Sequence, residues 1–436
     1  MKLGRIAEID FSMIVIVSIL TIFGILFIYS SAITSTGILV SNEYIKQMIW
    51  GGAGLILALS IALIDYRRYY DFSMYIYIAL LLLLIYTRLF GRVVNGARSW
   101  VGVGSFGIQP SEFTKIATIL FLARYLDASR RTETGIRRFL VSCVIVFIPM
   151  LLILAQPDLG TALVFIPILI VMTFIAGIPL RFVAYLGFLI SFTGFLAVLP
   201  LWERYILNGQ VPLLNLFTDA ASVAVLILAF SLVSAIALLG YRRYKKKYFY
   251  WISYFSTLIV LSLAAAFAAR KILKEYQIMR LIVFLDPEVD PRGSGWNIIQ
   301  SITAIGSGGL FGKGFLQGTQ SHYRFLPQQS TDFIFSIFSE EWGFLGGLLV
   351  FSLFLALSLR LIRIMKTTSD PYGASIAAGL SAIYMFHFLI NVGMTMGVMP
   401  ITGIPLLFMS YGGSSLLAAM IGIGLALSIY MRRYEH

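Results

Sequence analysis

Asp332 closes a polar, glycine-rich stretch and opens an apolar one, in the run Phe325-Leu326-Pro327-Gln328-Gln329-Ser330-Thr331-Asp332-Phe333-Ile334-Phe335. An acid at the mouth of a membrane helix is a functional candidate by default, because burying an unpaired charge is expensive. Capping of the helix that follows is the simplest structural reason for it. Glu112 and Lys115, in Gln109-Pro110-Ser111-Glu112-Phe113-Thr114-Lys115, fall at i and i+3 on one face of a starting helix. That pair either serves a function or simply has Glu112 favouring the helix N-terminus while Lys115 snorkels. Asp158, in Gln156-Pro157-Asp158-Leu159-Gly160-Thr161, follows a proline at a helix start, where an N-cap is the commoner role. Glu340 and Glu341 lie about two helical turns beyond Asp332, at a depth where acids pair or neutralise, for example with Arg or Lys inside the bundle.

Two more segments are rich in glycine and proline. Residues 270–332 form a connection far longer than chain closure needs, so it carries function or structure of its own. Within it, Met279 to Pro287 mixes basic and apolar residues in a way that suits the bilayer surface. Gly306-Ser307-Gly308-Gly309-Leu310-Phe311-Gly312-Lys313-Gly314 is not a nucleotide P-loop, since Ser307 stands where the first glycine is required and Gly314 where Ser or Thr is required. Met399-Pro400-Ile401-Thr402-Gly403-Ile404-Pro405, leading to Ser410-Tyr411-Gly412-Gly413-Ser414-Ser415, predicts an interrupted or re-entrant backbone beside a wet cavity.

The elements that must position these residues are membrane helices. Hydrophobic residues make up 59% of the 436 and charged ones 12%, with a mean hydropathy of +0.89, which excludes a soluble globular domain. The expected fold is an all-α polytopic bundle of about twelve spans of roughly 20 apolar residues each. They are Phe11 to Ser31, Met48 to Ile64, Phe72 to Ile85, Phe113 to Leu126, Phe139 to Leu154, Thr161 to Gly177, Phe182 to Leu199, Ala221 to Leu239, Tyr248 to Ala269, Phe333 to Leu359, Ala374 to Val392, and Ser414 to Tyr430. The first follows Lys2 and Arg5 without a clear cleavage site and reads as a signal anchor. With both termini cytoplasmic, roughly 20 of the Lys and Arg fall inside, and the polar segments above all fall outside. The net charge of +13 sits in short blocks beside spans, such as Arg130 to Arg138 and Arg242 to Lys247, so anionic headgroups explain it better than nucleic acid. One cysteine, Cys143, excludes an intramolecular disulfide, and His322, His387 and His436 form no zinc-ligand cluster with it.

Taken in order, these segments resemble the SEDS family of bacterial cell-wall polymerases (shape, elongation, division and sporulation), most closely its rod-shape branch. The resemblance rests on Asn95-Gly96-Ala97-Arg98 with Gln109 to Glu112, on Gln156 to Thr161, and on Gly312-Lys313-Gly314 with Gly318-Thr319-Gln320-Ser321. It also rests on Thr331 to Phe335 with Glu340-Glu341, and on Ser410 to Ser415. The family usually has ten spans, which makes 221–269 an inserted hairpin in a single membrane domain spanning 1–436. Gln328 stands where the family usually has Glu, and Leu407 where it usually has Pro.

The resemblance implies a peptidoglycan glycosyltransferase that polymerises lipid II at the outer face of the cytoplasmic membrane, for elongation and rod shape. Asp332 then matches the general base for the acceptor hydroxyl, or a ligand to a bound Mg²⁺ or Mn²⁺. Arg98 and Lys115 would face the leaving pyrophosphate, with Lys313 and Arg324 near headgroup phosphates. Glu112, Asp158, Glu340, Glu341, Ser410, Gly412 and Gly413 would shape the cavity. The implied partners are a class B penicillin-binding protein and other membrane proteins of the elongation complex. A lipid II flippase and a non-catalytic scaffold are the competing readings; the absence of an internal repeat or of a cytoplasmic polar cluster weighs against the first.

Overall fold

The computed structural model describes residues 9–94, 96–103, 106–205, 211, 214–272, 275–291 and 293–434; Asn95 and His436 lie outside them. Its chain divides into two compact units, Met1–Ile178 with Gln300–His436, and Pro179–Ile299.

The larger unit begins with α1 (Phe11–Ala32), α2 (Glu43–Leu63) and α3 (Arg68–Phe90). A three-stranded antiparallel sheet follows, β1 (Arg92–Val94), β2 (Ala97–Val103) and β3 (Phe106–Ile108), with Val94 opposite Ala97 and Val101 opposite Ile108. Gly96, at φ +81°, turns the first hairpin, as the Asn-Gly step in the sequence favours. Next come α4 (Pro110–Ala128), α5 (Gly135–Leu154), α6 (Leu159–Leu163) and α7 (Phe165–Ile175). Proline at the first position starts α4, and Asp158 caps α6 through the Thr161 amide at 3.1 Å.

The smaller unit comprises α8 (Leu180–Tyr205), α9 (Asn215–Thr218), α10 (Ala220–Tyr244), α11 (Lys247–Ile272) and α12 (Glu275–Leu285), and a core of Leu196, Val223, Leu263 and Ala266 joins α8, α10 and α11. The expected hairpin of 221–269 falls on α10 and α11. Asp219 caps α10 through the Ser222 amide at 3.0 Å, and Arg242 and Arg243 lie at its C-terminal end, where cations are favoured.

The chain returns through α13 (Ser294–Ser307), α14 (Thr319–His322), α15 (Ile334–Thr367), α16 (Pro371–Thr395) and α17 (Gly413–Met431). The long connection of 270–332 therefore has helical structure of its own. Between α2 and α17, Gly424 lies against the Ala58 backbone and Gly54 against Met420, where small residues permit close helix approach. Arg432, buried, donates to the Ala62 and Leu63 carbonyls at 3.2 and 2.9 Å, satisfying the end of α2.

Among the described residues, ten helices are long and apolar enough to cross a membrane. The other two expected runs fall on α4, which carries charged residues, and on the shorter α6–α7 segment. The helices outlast their apolar runs, as where Phe72 to Ile85 becomes Arg68–Phe90, because interfacial polar and aromatic residues continue the helix.

Proline inside two helices shows how freed backbone is repaired. Pro149 cannot donate to Ile145, whose carbonyl instead accepts the Tyr77 hydroxyl at 2.6 Å. Pro200 likewise frees Leu196, whose carbonyl accepts Arg270 Nη2 at 2.5 Å. A third break lies at Gly343, where α15 takes φ +67° and ψ −163°. The Gly308–Gly314 segment fills it: Lys313 and Gly314 amides donate to Glu340 and Glu341 carbonyls at 3.1 and 3.0 Å, and the Phe344 amide donates to Gly309 at 2.9 Å.

Candidate active site

Helix α15 starts at Ile334 with Phe333 at its N-cap, so Asp332 stands one residue outside the capping position. Its turn is pinned from three sides. Asn391 Nδ2 on α16 donates to the Asp332 carbonyl at 3.0 Å, Ser410 Oγ to the Thr331 carbonyl at 2.6 Å, and the Tyr411 amide to the Ser330 carbonyl at 2.8 Å. The half-buried carboxylate lies over Gly403: a Cβ there would sit 3.5 Å from Oδ2, and φ of +71° disfavours any side chain.

The segment from Ile401 to Met409 is non-helical yet largely buried, the interruption that its prolines and glycines predict. Two residues one turn apart on α16 satisfy its carbonyls: Asn391 Nδ2 donates to Ile404 at 2.8 Å, and His387 Nδ1 to Pro405 at 2.9 Å. The other imidazole nitrogen, Nε2, lies 3.1 Å from Lys115 Nζ, which also pairs with Glu112 at 2.9 Å. A carbonyl can only accept and an ammonium can only donate, so the ring is the neutral Nδ1–H tautomer. Lys115 and Glu112 are 2% and 4% exposed; Lys115 is consumed inside the bundle rather than snorkelling.

Ser410 also accepts the Leu406 amide at 2.9 Å, and its carbonyl accepts Gln47 Nε2 at 3.0 Å. Gln47 Oε1 accepts the Gly412 amide at 3.3 Å, and Gly413 packs so closely on the Trp50 indole that a Cβ would collide with it. The Gly412–Gly413 pair thus brings the start of α17 against α2. Asp158 accepts Gln109 Nε2 at 2.9 Å, and the Gln109 amide donates to Ser414 Oγ at 3.0 Å, tying the starts of α4, α6 and α17 together. Burial pushes the Asp158 carboxyl above its ordinary value, while its bonds from Thr161 pull it down. Gly160, beside it, lets the Thr402 carbonyl approach.

Glu340 accepts from Lys313 Nζ at 2.8 Å, and from the Thr319, Gln320 and Ser321 amides at 2.8, 3.0 and 3.3 Å. Glu341 accepts from the Ser30 hydroxyl and the Leu316 amide, with His322 Nε2 at 3.7 Å. Buried carboxylates saturated by donors in this way organise the loop before Asp332. Arg98 is exposed on β2 and donates to the Leu89 carbonyl at 3.2 Å. Arg324 lines an open cavity with Gln328 to Ser330, next to Asp332 in the chain. Among the described residues no three His, Cys, Asp or Glu converge as metal ligands.

Sequence reasoning passed over Gln47, His387 and Asn391, which hold the site together. Polarity inside an apolar run marked His387 and Asn391, whereas Gln47 follows Lys46 just before one.

A family described as cell cycle protein, of the FtsW, RodA and SpoVE type, matches residues 10–236 and 224–435. Peptidoglycan glycosyltransferase RodA of Treponema pallidum (strain Nichols) is 51% identical over 433 residues, 99% of this chain and 100% of that protein. Peptidoglycan glycosyltransferase MrdB of Escherichia coli (strain K12) is 31% identical over 98% of this chain and 94% of that protein. A chain solved in work on the structural coordination of polymerization and crosslinking by a peptidoglycan synthase complex superposes with a TM-score of 0.67 at 26% identity, covering 98% of this chain and 99% of that one. The rod shape determining protein RodA of Thermus thermophilus superposes at 0.61 and 24%, covering 98% of each, and shares the fold.

Proposed function

The chain belongs to the FtsW, RodA and SpoVE family of cell cycle proteins, and from that premise we propose that it is a peptidoglycan glycosyltransferase that polymerises lipid II during cell elongation. The single observation that carries the mechanism is the Asp332 carboxylate, half-exposed over Gly403 on a turn fixed by Asn391, Ser410 and Tyr411.

An acceptor sugar hydroxyl loses its proton as it attacks the donor's anomeric carbon, and Asp332 accepts that proton. The bond from that carbon to the lipid pyrophosphate breaks in the same displacement, which inverts the anomeric centre. Negative charge grows on the pyrophosphate, so cations lower the barrier. Lys115 and Lys313 are engaged with Glu112 and Glu340, and Arg98 with a backbone carbonyl; Arg324, lining an open cavity, is the cation best placed for phosphate contact. A Mg²⁺ or Mn²⁺ held by Asp332 and the substrate would supply further charge neutralisation.

The polyprenyl tails explain a bilayer-embedded polymerase, and two lipid substrates need two access routes. The site faces outward from the cytoplasmic membrane in this reading, consistent with the basic clusters on the opposite loops. A class B penicillin-binding protein, supplying the crosslinking activity, is the proposed partner; a structural relative comes from such a polymerising and crosslinking complex.

Purified protein, mixed with lipid II and a transpeptidase-dead partner, should yield muramidase-sensitive glycan strands. Transfer of lipid II across reconstituted vesicles with no strand formed would favour a flippase instead.

A further inference from the structure

A cavity of about 580 Å³ lies in the larger unit, bordered by the end of α4, the loop into α5, the end of α7 and the α15–α16 connection. Asp370, on its wall, precedes Asn391, which holds the Asp332 turn, by roughly 30 Å of helix at 1.5 Å per residue. That is about the thickness of a bilayer's hydrocarbon core, so the cavity belongs to the membrane face opposite Asp332. Its volume falls within the range of small-ligand sites, roughly 300 to 1,000 Å³.

Charges of both signs line it: the guanidinium groups of Arg130 and Arg138, and the carboxylates of Asp127 and Asp370. Among the described residues none of the four is ion-paired. The fold employs two of them. Arg138, 6% exposed, closes helix ends: Nη2 donates to the Leu126 and Ala176 carbonyls at 2.9 and 3.3 Å, and Nε to Ser129 Oγ at 3.3 Å. All three acceptors are uncharged, so a buried cation is left without a counter-charge. Asp370 caps α16 through the Tyr372 and Gly373 amides at 3.1 and 3.3 Å, and accepts the Tyr66 hydroxyl at 2.8 Å. Asp127 and Arg130 have no such duty; among the described residues neither side chain bonds another.

Water can fill such a cavity, but the charges select among solutes. A bare anion drawn to Arg138 meets Asp127 and Asp370, and a bare cation drawn to the acids meets both arginines. A group that carries a phosphate and a primary ammonium a few bonds apart suits both pairs, since guanidinium donates to phosphate and ammonium donates to carboxylate. The bilayer interface at this face supplies such groups. Ile175, 41% exposed, and half-buried Met365 line the same cavity and give a lipid's glycerol and first methylenes an apolar flank.

We propose that this cavity binds a zwitterionic amino-phosphate, as a phosphatidylethanolamine headgroup presents it or as free phosphoethanolamine, with Arg130 and Arg138 on the phosphate and Asp127 on the ammonium. The bound group ties the end of α4 to the start of α16, the two helices whose other halves carry Lys115 and His387. The site is separate from the reaction centre and does not rest on the polymerase reading.

The test loads delipidated protein in detergent with phosphatidylethanolamine, phosphatidylglycerol, phosphatidylcholine or free phosphoethanolamine, and reads occupancy by native mass spectrometry and melting temperature. Phosphatidylglycerol lacks the amine, and the quaternary ammonium of phosphatidylcholine has no N–H to donate. Phosphatidylethanolamine should therefore bind about tenfold more tightly than either, the scale of one charge-assisted hydrogen bond. Arg130→Ala should weaken phosphatidylethanolamine and phosphatidylglycerol alike, whereas Asp127→Asn should erase most of the preference between them. Because neither side chain bonds another in the resting protein, both variants should melt as wild type does without lipid. Protection by free phosphoethanolamine equal to that by the lipid assigns the site to a soluble ligand, and protection by the lipid alone assigns it to the headgroup; either upholds the amino-phosphate site. No saturable binding of any probe, the result for a cavity that holds only solvent, overturns the proposal. So does equal binding of the three lipids, or an undiminished preference in Asp127→Asn.

Discussion

His387 Nε2 lies 3.1 Å from Lys115 Nζ while its Nδ1 lies 2.9 Å from the Pro405 carbonyl, so one neutral imidazole joins the α4 cation to the loop that covers Asp332. One turn further along α16, Asn391 holds both the Asp332 carbonyl and Ile404. The two residues make α16 the ruler between the acid and the lysine.

Removing His387 leaves a buried carbonyl and a buried ammonium each short of a partner. His387→Ala should lower turnover of lipid II by about tenfold or more while KM moves less, since small misplacements of reacting groups are costly. His387→Asn keeps a donor near Pro405 and should recover part of the loss. Steady-state polymerisation kinetics on the three proteins decide this; equal kcat in all of them would show that the link is idle.

Gly343 is irreplaceable on backbone grounds. Its φ of +67° and ψ of −163° belong to a region that is essentially glycine-only, and a Cβ would meet the Gly312 amide and the Leu310 carbonyl. Gly343→Ala should cost at least about 1–3 kcal/mol and lower the melting temperature in detergent. An unchanged melting curve would mean that the α15 break is not a feature of the folded protein.

Glu340 is fully buried and bound by Lys313 and three backbone amides. Glu340→Ala should therefore destabilise by about 3–5 kcal/mol, the range for breaking a buried ion pair from one side. Lys313, partly exposed, should cost less. A double-mutant cycle read by thermal melting should give a non-zero coupling between them; strict additivity would argue against the pair.

A chelator should act on chemistry and leave the fold alone. With no three-ligand cluster among the described residues, EDTA should leave the melting temperature of the substrate-free protein unchanged. It should suppress glycan formation, with Mg²⁺ or Mn²⁺ restoring it, if the cation is shared between Asp332 and pyrophosphate. Full activity in EDTA would remove the metal from the scheme.

The sequence made much of this legible where one local pattern carries the signal. Apolar runs located the helices, the i, i+3 spacing paired Glu112 with Lys115, and prolines with glycines marked the broken backbone of 399–415. Signals that depend on distant partners were silent. A lone histidine at 387 on an apolar face gives no hint that Lys115 and Pro405 meet it, because those contacts span 272 and 18 residues of sequence. The break at Gly343, two residues after Glu341, falls inside what reads as one continuous span from Phe333 to Leu359, and only the Gly308–Gly314 segment folding onto it explains it. The sheet of residues 92–108 was missed because two of its three strands have only three residues, too few for alternation to register.

The most direct test of the central claim is lipid II polymerisation by Asp332→Asn, purified and folded, beside wild type and a transpeptidase-dead partner. Asparagine keeps the size of the side chain and removes its basicity, so the account predicts glycan strands from wild type and none from the variant. Strands of undiminished yield from Asp332→Asn would contradict it, since the proton would then be leaving the acceptor hydroxyl by another route.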